Sequence, residues 1–326
     1  GKKLVFDEAS AKRIENFFRH LHPDRPMTPN NLQQAMLPEG CTILTNDWGT
    51  APGCAFEADG THVIMLPGPP RECTPMFRER ALPYLEKLCG GVIGSRYVKI
   101  FGQGESSVEY LTRPLADSLE QVTMAPYAKE GECELRITAR AETKQAALAL
   151  CDPVVEQVRE LLGDKVYGVD VSSLEEVVVE GLKARKMTIA CAESCTGGMI
   201  GQLLTAVPGS SAVYKGGIIS YCNAVKHSAL GVKDALLETY GAVSYPVAEA
   251  MAAGARRAIG ADIAVSVTGL AGPGGDEYGN PVGTVYIGYE DDRGCCVKHF
   301  VFPGDREAVR QQAAEAALAL ILEQNA

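Results

Sequence analysis

Ser194, Tyr221 and Lys226 are the residues of this sequence whose types and settings could together perform nucleophilic chemistry. A serine hydroxyl attacks poorly until a neighbouring base takes its proton, and a lysine amine close to its neutral form is one such base. Residues 188–198 read TIACAESCTGG, an apolar strand that delivers Glu193 and Ser194 into a glycine-paired turn opening a helix. A serine ejected there faces backbone N–H donors and the positive end of a helix dipole, which stabilise a developing oxyanion. Helix capping is the commoner use of Ser or Thr before a helix, and this segment alone does not separate the two roles.

The base is sought downstream, in YCNAVK at 221–226. Tyr221 ends an apolar strand and Asn223 reads as the N-cap of the next helix, which puts Lys226 in its first turn. The positive helix end disfavours an ammonium there and lowers its pKa, as a general base requires. Singly, a tyrosine at a strand end packs and a first-turn lysine is solvated. The conjunction with Ser194 favours catalysis, with Thr196 left free to cap the helix. The Tyr–Lys spacing is one residue longer than in short-chain dehydrogenases, and no Gly-x-Gly-x-x-Gly is present, which counts against an NAD(P) oxidoreductase.

Two further segments complete the set. Residues 265–275, VSVTGLAGPGG, read as a buried strand opening into a glycine loop that either turns a corner or cradles an anion with its N–H groups. Arg306 and Arg310 stand one helical turn apart in the last helix; they fit a phosphate clamp or exposed pairing with Asp305 or Glu307. The expected substrate contacts are therefore Glu193, Thr196, Gly197, Gly198, Thr268, Gly269, Gly272, Arg306 and Arg310, with oxyanion donors around 196–198 or 268–269.

These residues belong to a segment, from about 173 onward, in which helices and strands alternate. Helices are expected at 174–183, after Gly198, from Val225, at 246–259 and at 305–323, and strands at 187–192, 217–221, 262–267 and 284–289. Residues 96–170 read as a small α+β module whose loop at 102–106 lacks the Gly-x-x-Gly of a nucleic-acid clamp, so it serves as a spacer or dimerisation element. Upstream come a helix at 7–20 ended by the prolines of 22–27, a turn-rich block at 46–53, a strand at 62–66 and a Pro-Gly loop leading into a helix, an α/β layer.

At 326 residues the chain holds two or three domains, and 46% hydrophobic content with 34 glycines fits a globular protein. A net charge of −10 without a basic patch argues against direct nucleic-acid binding. The 11 cysteines form no Cys-x-x-Cys pair and imply reduced thiols in a cytoplasmic protein. No apolar run is long enough to span a membrane and no signal-type segment opens the chain. Residue 1 is Gly rather than Met, which reads as a processing boundary.

AESCTGG at 192–198, YCNAVK at 221–226, GAVS at 241–244, SVTGLAGPGG at 266–275, PVGTVYI at 281–287 and PGDREAVRQQA at 303–313 together closely resemble the C-terminal domain of the CinA (competence/damage-inducible protein A) family. The resemblance implies a nicotinamide-nucleotide amidase, which converts nicotinamide mononucleotide to nicotinate mononucleotide and ammonia, with Ser194 as nucleophile, Lys226 as base and Tyr221 as third catalytic group. It implies no cofactor for that reaction, and a homodimer. Upstream, MTPNN at 27–31, the block at 46–53 and LPGPPRE at 66–72 resemble the second half of the family's molybdopterin-binding-like domain, associated with divalent-metal-dependent ADP-ribose pyrophosphatase activity. That domain's opening strand and acidic segment are expected before Gly1.

The fold expected is thus multidomain α/β: a partial molybdopterin-binding-like domain over 1–92, a KH-like α+β domain over 93–170 and the amidase domain over 171–326. The alternatives to the amidase are the pyrophosphatase and a non-catalytic partner in competence or DNA damage.

Overall fold

A computed structural model of the protein describes residues 2–21, 27–88, 90–129 and 131–325. The chain divides into two compact units, residues 1–93 with 140–146, and residues 94–139 with 147–326. Mixed α/β structure runs through both, as the sequence predicts.

In the first unit, a helix at Glu8–Leu21 buries Ala11 and Ile14 against Ala35. The proline-bearing stretch expected to end it, residues 22–26, lies outside the described residues. The expected strand is Thr61–Met65, the last of an antiparallel three-stranded sheet with Thr42–Leu44 and Gly53–Ala58. The two polar motifs of this unit meet. Asn46 donates through Nδ2 to the Ala51 carbonyl at 2.9 Å and to Glu72 Oε2 at 2.9 Å, while its Oδ1 accepts from Trp48 N–H at 3.0 Å.

A four-stranded sheet follows in the order Val122–Ala128, Glu132–Ala141, Val92–Phe101, Val166–Val169, with helices Glu105–Ser118 and Lys144–Leu162. The chain order β-α-β-β-α-β is that of a split βαβ module. Cys133, Leu135, Ile137 and Ala139 are buried at period two, and Val154 and Val158 of the second helix pack on the same core. The strand Val166–Val169 was not expected; at four half-buried residues it shows no periodicity.

From Leu174 onward lies a five-stranded sheet. Its strands are β1 (Ile189–Glu193), β2 (Tyr214–Ile219), β3 (Ile263–Gly269), β4 (Thr284–Glu290) and β5 (Cys295–Val301), ordered β2-β1-β3-β4-β5. The first three are mutually parallel, and β4 and β5 continue antiparallel. Helices α1 (Leu174–Arg185), α2 (Met199–Ala206) and α6 (Arg306–Gln324) cover one face. On the other lie α3 (Asn223–Leu230), α4 (Asp234–Tyr240) and α5 (Tyr245–Ile259).

Strand β1 is buried on both sides, so alternate residues feed two cores. Ile189 and Cys191 join α1, α2 and α6, whereas Ala190 and Ala192 face α3, α4 and α5. Small residues on the second face let α5 sit close: Ser266 Oγ on β3 donates to the Ala248 carbonyl at 2.6 Å. Gly254 of α5 lies against the end of α3, where a Cβ would come within 2.1 Å of the Leu230 carbonyl oxygen. That close approach fixes α3, which carries Lys226.

Strand β5 and helix α4 were not expected. The residues of β5 are half-buried or exposed throughout, so no alternation marks it, and the seven residues of α4 are too few to show a period.

Candidate active site

The chain leaves β1 to the two parallel strands on either side of it, so the carboxyl ends of β1, β2 and β3 form a topological switch point, where open α/β sheets bind ligands. Ser194 follows β1, Ser220 follows β2, and Thr268 is near the end of β3. The ladder continues past β1, because Ser194 N–H donates to the Val267 carbonyl at 2.9 Å and Ser220 N–H to the Glu193 carbonyl at 2.8 Å. The alternation within β1 therefore carries on: Glu193 points to the α2 side and Ser194 to the α3 side.

Glu193 is 2% exposed and its carboxylate accepts from Gly198 N–H at 2.8 Å, Ile200 N–H at 3.2 Å and Gly201 N–H at 3.0 Å. It thus satisfies the first N–H groups of α2, the places a helix leaves without partners. The expectation that Thr196 caps this helix is corrected: Glu193 does so, and Thr196 Oγ1 is buried without a hydrogen-bond partner among the described residues. Gly197 and Gly198 make the turn with φ of 63° and 103°, a region closed to most side chains.

Lys226 is 1% exposed, and its Nζ donates to Ser194 Oγ at 3.0 Å and to the Ser220 carbonyl at 2.7 Å. Both partners are uncharged, and burial lowers its pKa from the ordinary lysine value. The sequence argument pointed in the same direction but named the helix dipole; in the structure the lowering comes from desolvation by burial. The N-cap of α3 is Cys222, not Asn223: Cys222 is extended, its carbonyl accepts from Val225 and Lys226 N–H, and Asn223 is already helical. Cys195 beside the serine is no competitor, since burial holds its thiol up at about 11 and therefore protonated near neutrality.

Tyr221 stands apart from this pair. It is 62% exposed, and its Oη accepts from Arg306 Nη2 at 2.9 Å, while Arg306 Nη1 donates to the Gly272 carbonyl at 2.7 Å. Arg310, one turn further along α6, reaches inward and donates to the Cys195 carbonyl through Nε and the Thr196 carbonyl through Nη2, each at 3.0 Å. Neither arginine forms an ion pair among the described residues. Thr268 Oγ1 donates to the Ala242 carbonyl at 2.7 Å, and Gly269 lies under Thr284 and Val285.

Sequence reasoning missed Ser220, which anchors Lys226 through its carbonyl; backbone acceptors leave no signal in residue type. Its hydroxyl and that of Thr284 are buried without hydrogen-bond partners among the described residues, like that of Thr196. Such unmade bonds are uncommon in native structures. For a divalent metal the residues do not fit: among the described residues no three His, Cys, Asp or Glu side chains gather to hold one. No helix of the described residues is long and apolar enough to cross a membrane.

Comparison with known proteins gives two family matches in tandem, the CinA KH domain over residues 95–168 and the CinA C-terminal domain over residues 171–325. A CinA-like protein of Dictyoglomus turgidum is 45% identical over 310 residues, 95% of this chain and 75% of the relative. Another, from Kosmotoga olearia, is 43% identical over 318 residues, 98% of this chain and 77% of the relative. A crystal structure of a CinA superfamily protein from Klebsiella pneumoniae matches with 35% identity and a TM-score of 0.46, covering 47% of this chain and 95% of that one. With such identity sustained over three quarters of its relatives' length, the chain belongs to the CinA family.

Proposed function

We propose that the protein hydrolyses the carboxamide of nicotinamide mononucleotide, releasing ammonia and nicotinate mononucleotide. The observation that carries this reading is the buried Lys226 Nζ 3.0 Å from Ser194 Oγ, with its pKa lowered and no carboxylate among its hydrogen-bond partners. The choice of substrate rests on the family resemblance.

In the first step neutral Lys226 takes the Ser194 proton, and Oγ forms a bond to the carboxamide carbon. Lys226 then returns the proton to the nitrogen, the C–N bond breaks, and ammonia leaves an ester on Ser194. Water adds to that ester, gives a proton to Lys226, and the C–Oγ bond breaks to restore the serine and free the carboxylic acid. Tyr221 is the third catalytic group, and Arg306, exposed beside it, meets the phosphate.

Ammonia release from nicotinamide mononucleotide, nicotinamide riboside and NAD tests this. The mononucleotide should be consumed fastest, with one ammonia formed per nicotinate mononucleotide. Turnover of none of them refutes the substrate class.

A further inference from the structure

The two arginines of α6 have unlike surroundings. Arg306 is exposed at the rim, whereas Arg310 is half-buried and spends its guanidinium on two successive carbonyls of the turn that holds Ser194. We propose that Arg310 is a positioning residue that aims the Thr196 N–H at the developing oxyanion, rather than a ligand of substrate phosphate.

The argument is one of peptide geometry. A trans peptide is planar, with its C=O and the following N–H pointing in opposite directions. The Cys195 carbonyl is drawn toward α6, on one face of the sheet, so the Thr196 N–H of the same peptide points to the other face. That is the α3 side, where Lys226 meets Ser194 Oγ. The next peptide is fixed at both ends, because Arg310 holds the Thr196 carbonyl and Gly197 N–H donates to the Ser194 carbonyl at 3.1 Å. Thr196 N–H donates to no backbone acceptor among the described residues; the group beside it is the Cys195 thiol, a weak acceptor. Two parallel donors on a rigid fork suit this task, and a lysine has no such fork.

The inference rests on the amidase reading for its substrate, and its test separates the two. Kinetics of Arg310→Ala and Arg310→Lys are compared on nicotinamide mononucleotide and on nicotinamide riboside, which lacks the phosphate. Positioning predicts a kcat loss of about 100-fold with KM little changed, as for removal of an oxyanion donor. It predicts the same loss on both substrates, little recovery in Arg310→Lys, and partial restoration of Arg310→Ala by free guanidinium. A rise in KM confined to the mononucleotide, with the riboside unaffected, overturns the proposal in favour of a phosphate ligand. A variant that loses activity only because it melts below the assay temperature is not rescued by guanidinium, which also overturns it.

A second measurement needs no substrate. A fluorophosphonate forms an Oγ–P bond at Ser194, expels fluoride and passes the serine proton to Lys226, its phosphoryl oxygen taking the oxyanion position. Arg310→Lys should label about 100-fold more slowly than the wild type. Equal labelling rates overturn the positioning role. Wild-type protein that labels at Ser194 yet frees no ammonia overturns the substrate assignment alone.

Discussion

Two buried polar clusters in this chain look alike by composition and differ in how they are satisfied. Around Asn46 and Glu72, both 8% exposed, each amide atom of the asparagine has its partner, and Gly49 leaves room for the Glu72 carboxylate, since a Cβ there would sit 1.9 Å from Oε2. Around Ser194, a lysine is buried against a hydroxyl and a carbonyl only, and the hydroxyls of Thr196 and Ser220 have no hydrogen-bond partner among the described residues. An unmade buried hydrogen bond costs about 1–3 kcal/mol, so the second arrangement is unfavourable unless something else completes it. The first cluster is satisfied from within a turn, and the second is the one on which the proposed reaction rests.

The sharpest way to break that contrast is at Lys226. Replacement by Arg should lower ammonia release by about 10³-fold, nearly as far as replacement by Ala, because a guanidinium takes no proton near neutrality. In the wild type, kcat/KM should rise with pH and level off at a midpoint below the ~10.4 of an ordinary lysine. The stability effect has a definite sign. With its folded pKa lowered, Lys226 binds fewer protons folded than unfolded, so its burial costs stability below the folded pKa and the cost disappears as pH approaches ~10.4. The urea midpoint of the wild type should therefore gain on that of Lys226→Met as pH rises. Retained activity in Lys226→Arg, or a rate that falls with pH over this range, would contradict the role of base.

Gly49→Ala probes the self-satisfied cluster. Its methyl displaces Glu72 from Asn46 and should cost about 1–3 kcal/mol, read as an earlier thermal transition, with kcat for ammonia release unchanged. Ser220→Ala should have the smallest effect on stability, at most ~1 kcal/mol and in the stabilising direction, because the lost hydroxyl has no partner. A large loss of stability there would show that the hydroxyl is engaged after all.

Much of this site was legible in the sequence, for identifiable reasons. Strand β1 carries an apolar run into a glycine pair, a pattern that places Ser194 at a strand end whatever surrounds it. Lys226 was found because a lysine in a first turn is an electrostatic anomaly. What escaped depends on contacts distant in sequence. Arg310 reaches carbonyls more than a hundred residues away, Glu193 caps a helix from the preceding strand, and Ser220 acts through its backbone. The edge strand β5 escaped because it faces no core on either side closely enough to impose an alternating pattern.

The central claim is that Ser194 becomes acylated by the carboxamide carbon of the substrate. Its most direct test is the intact mass of the protein, and of its peptides, acid-quenched within milliseconds of mixing with nicotinamide mononucleotide, for the wild type and Ser194→Ala. The account predicts a transient nicotinoyl-nucleotide adduct on the peptide bearing Ser194, formed together with a burst of ammonia, and neither in the variant. Ammonia release at the wild-type rate from Ser194→Ala, or an adduct on another residue, would contradict it.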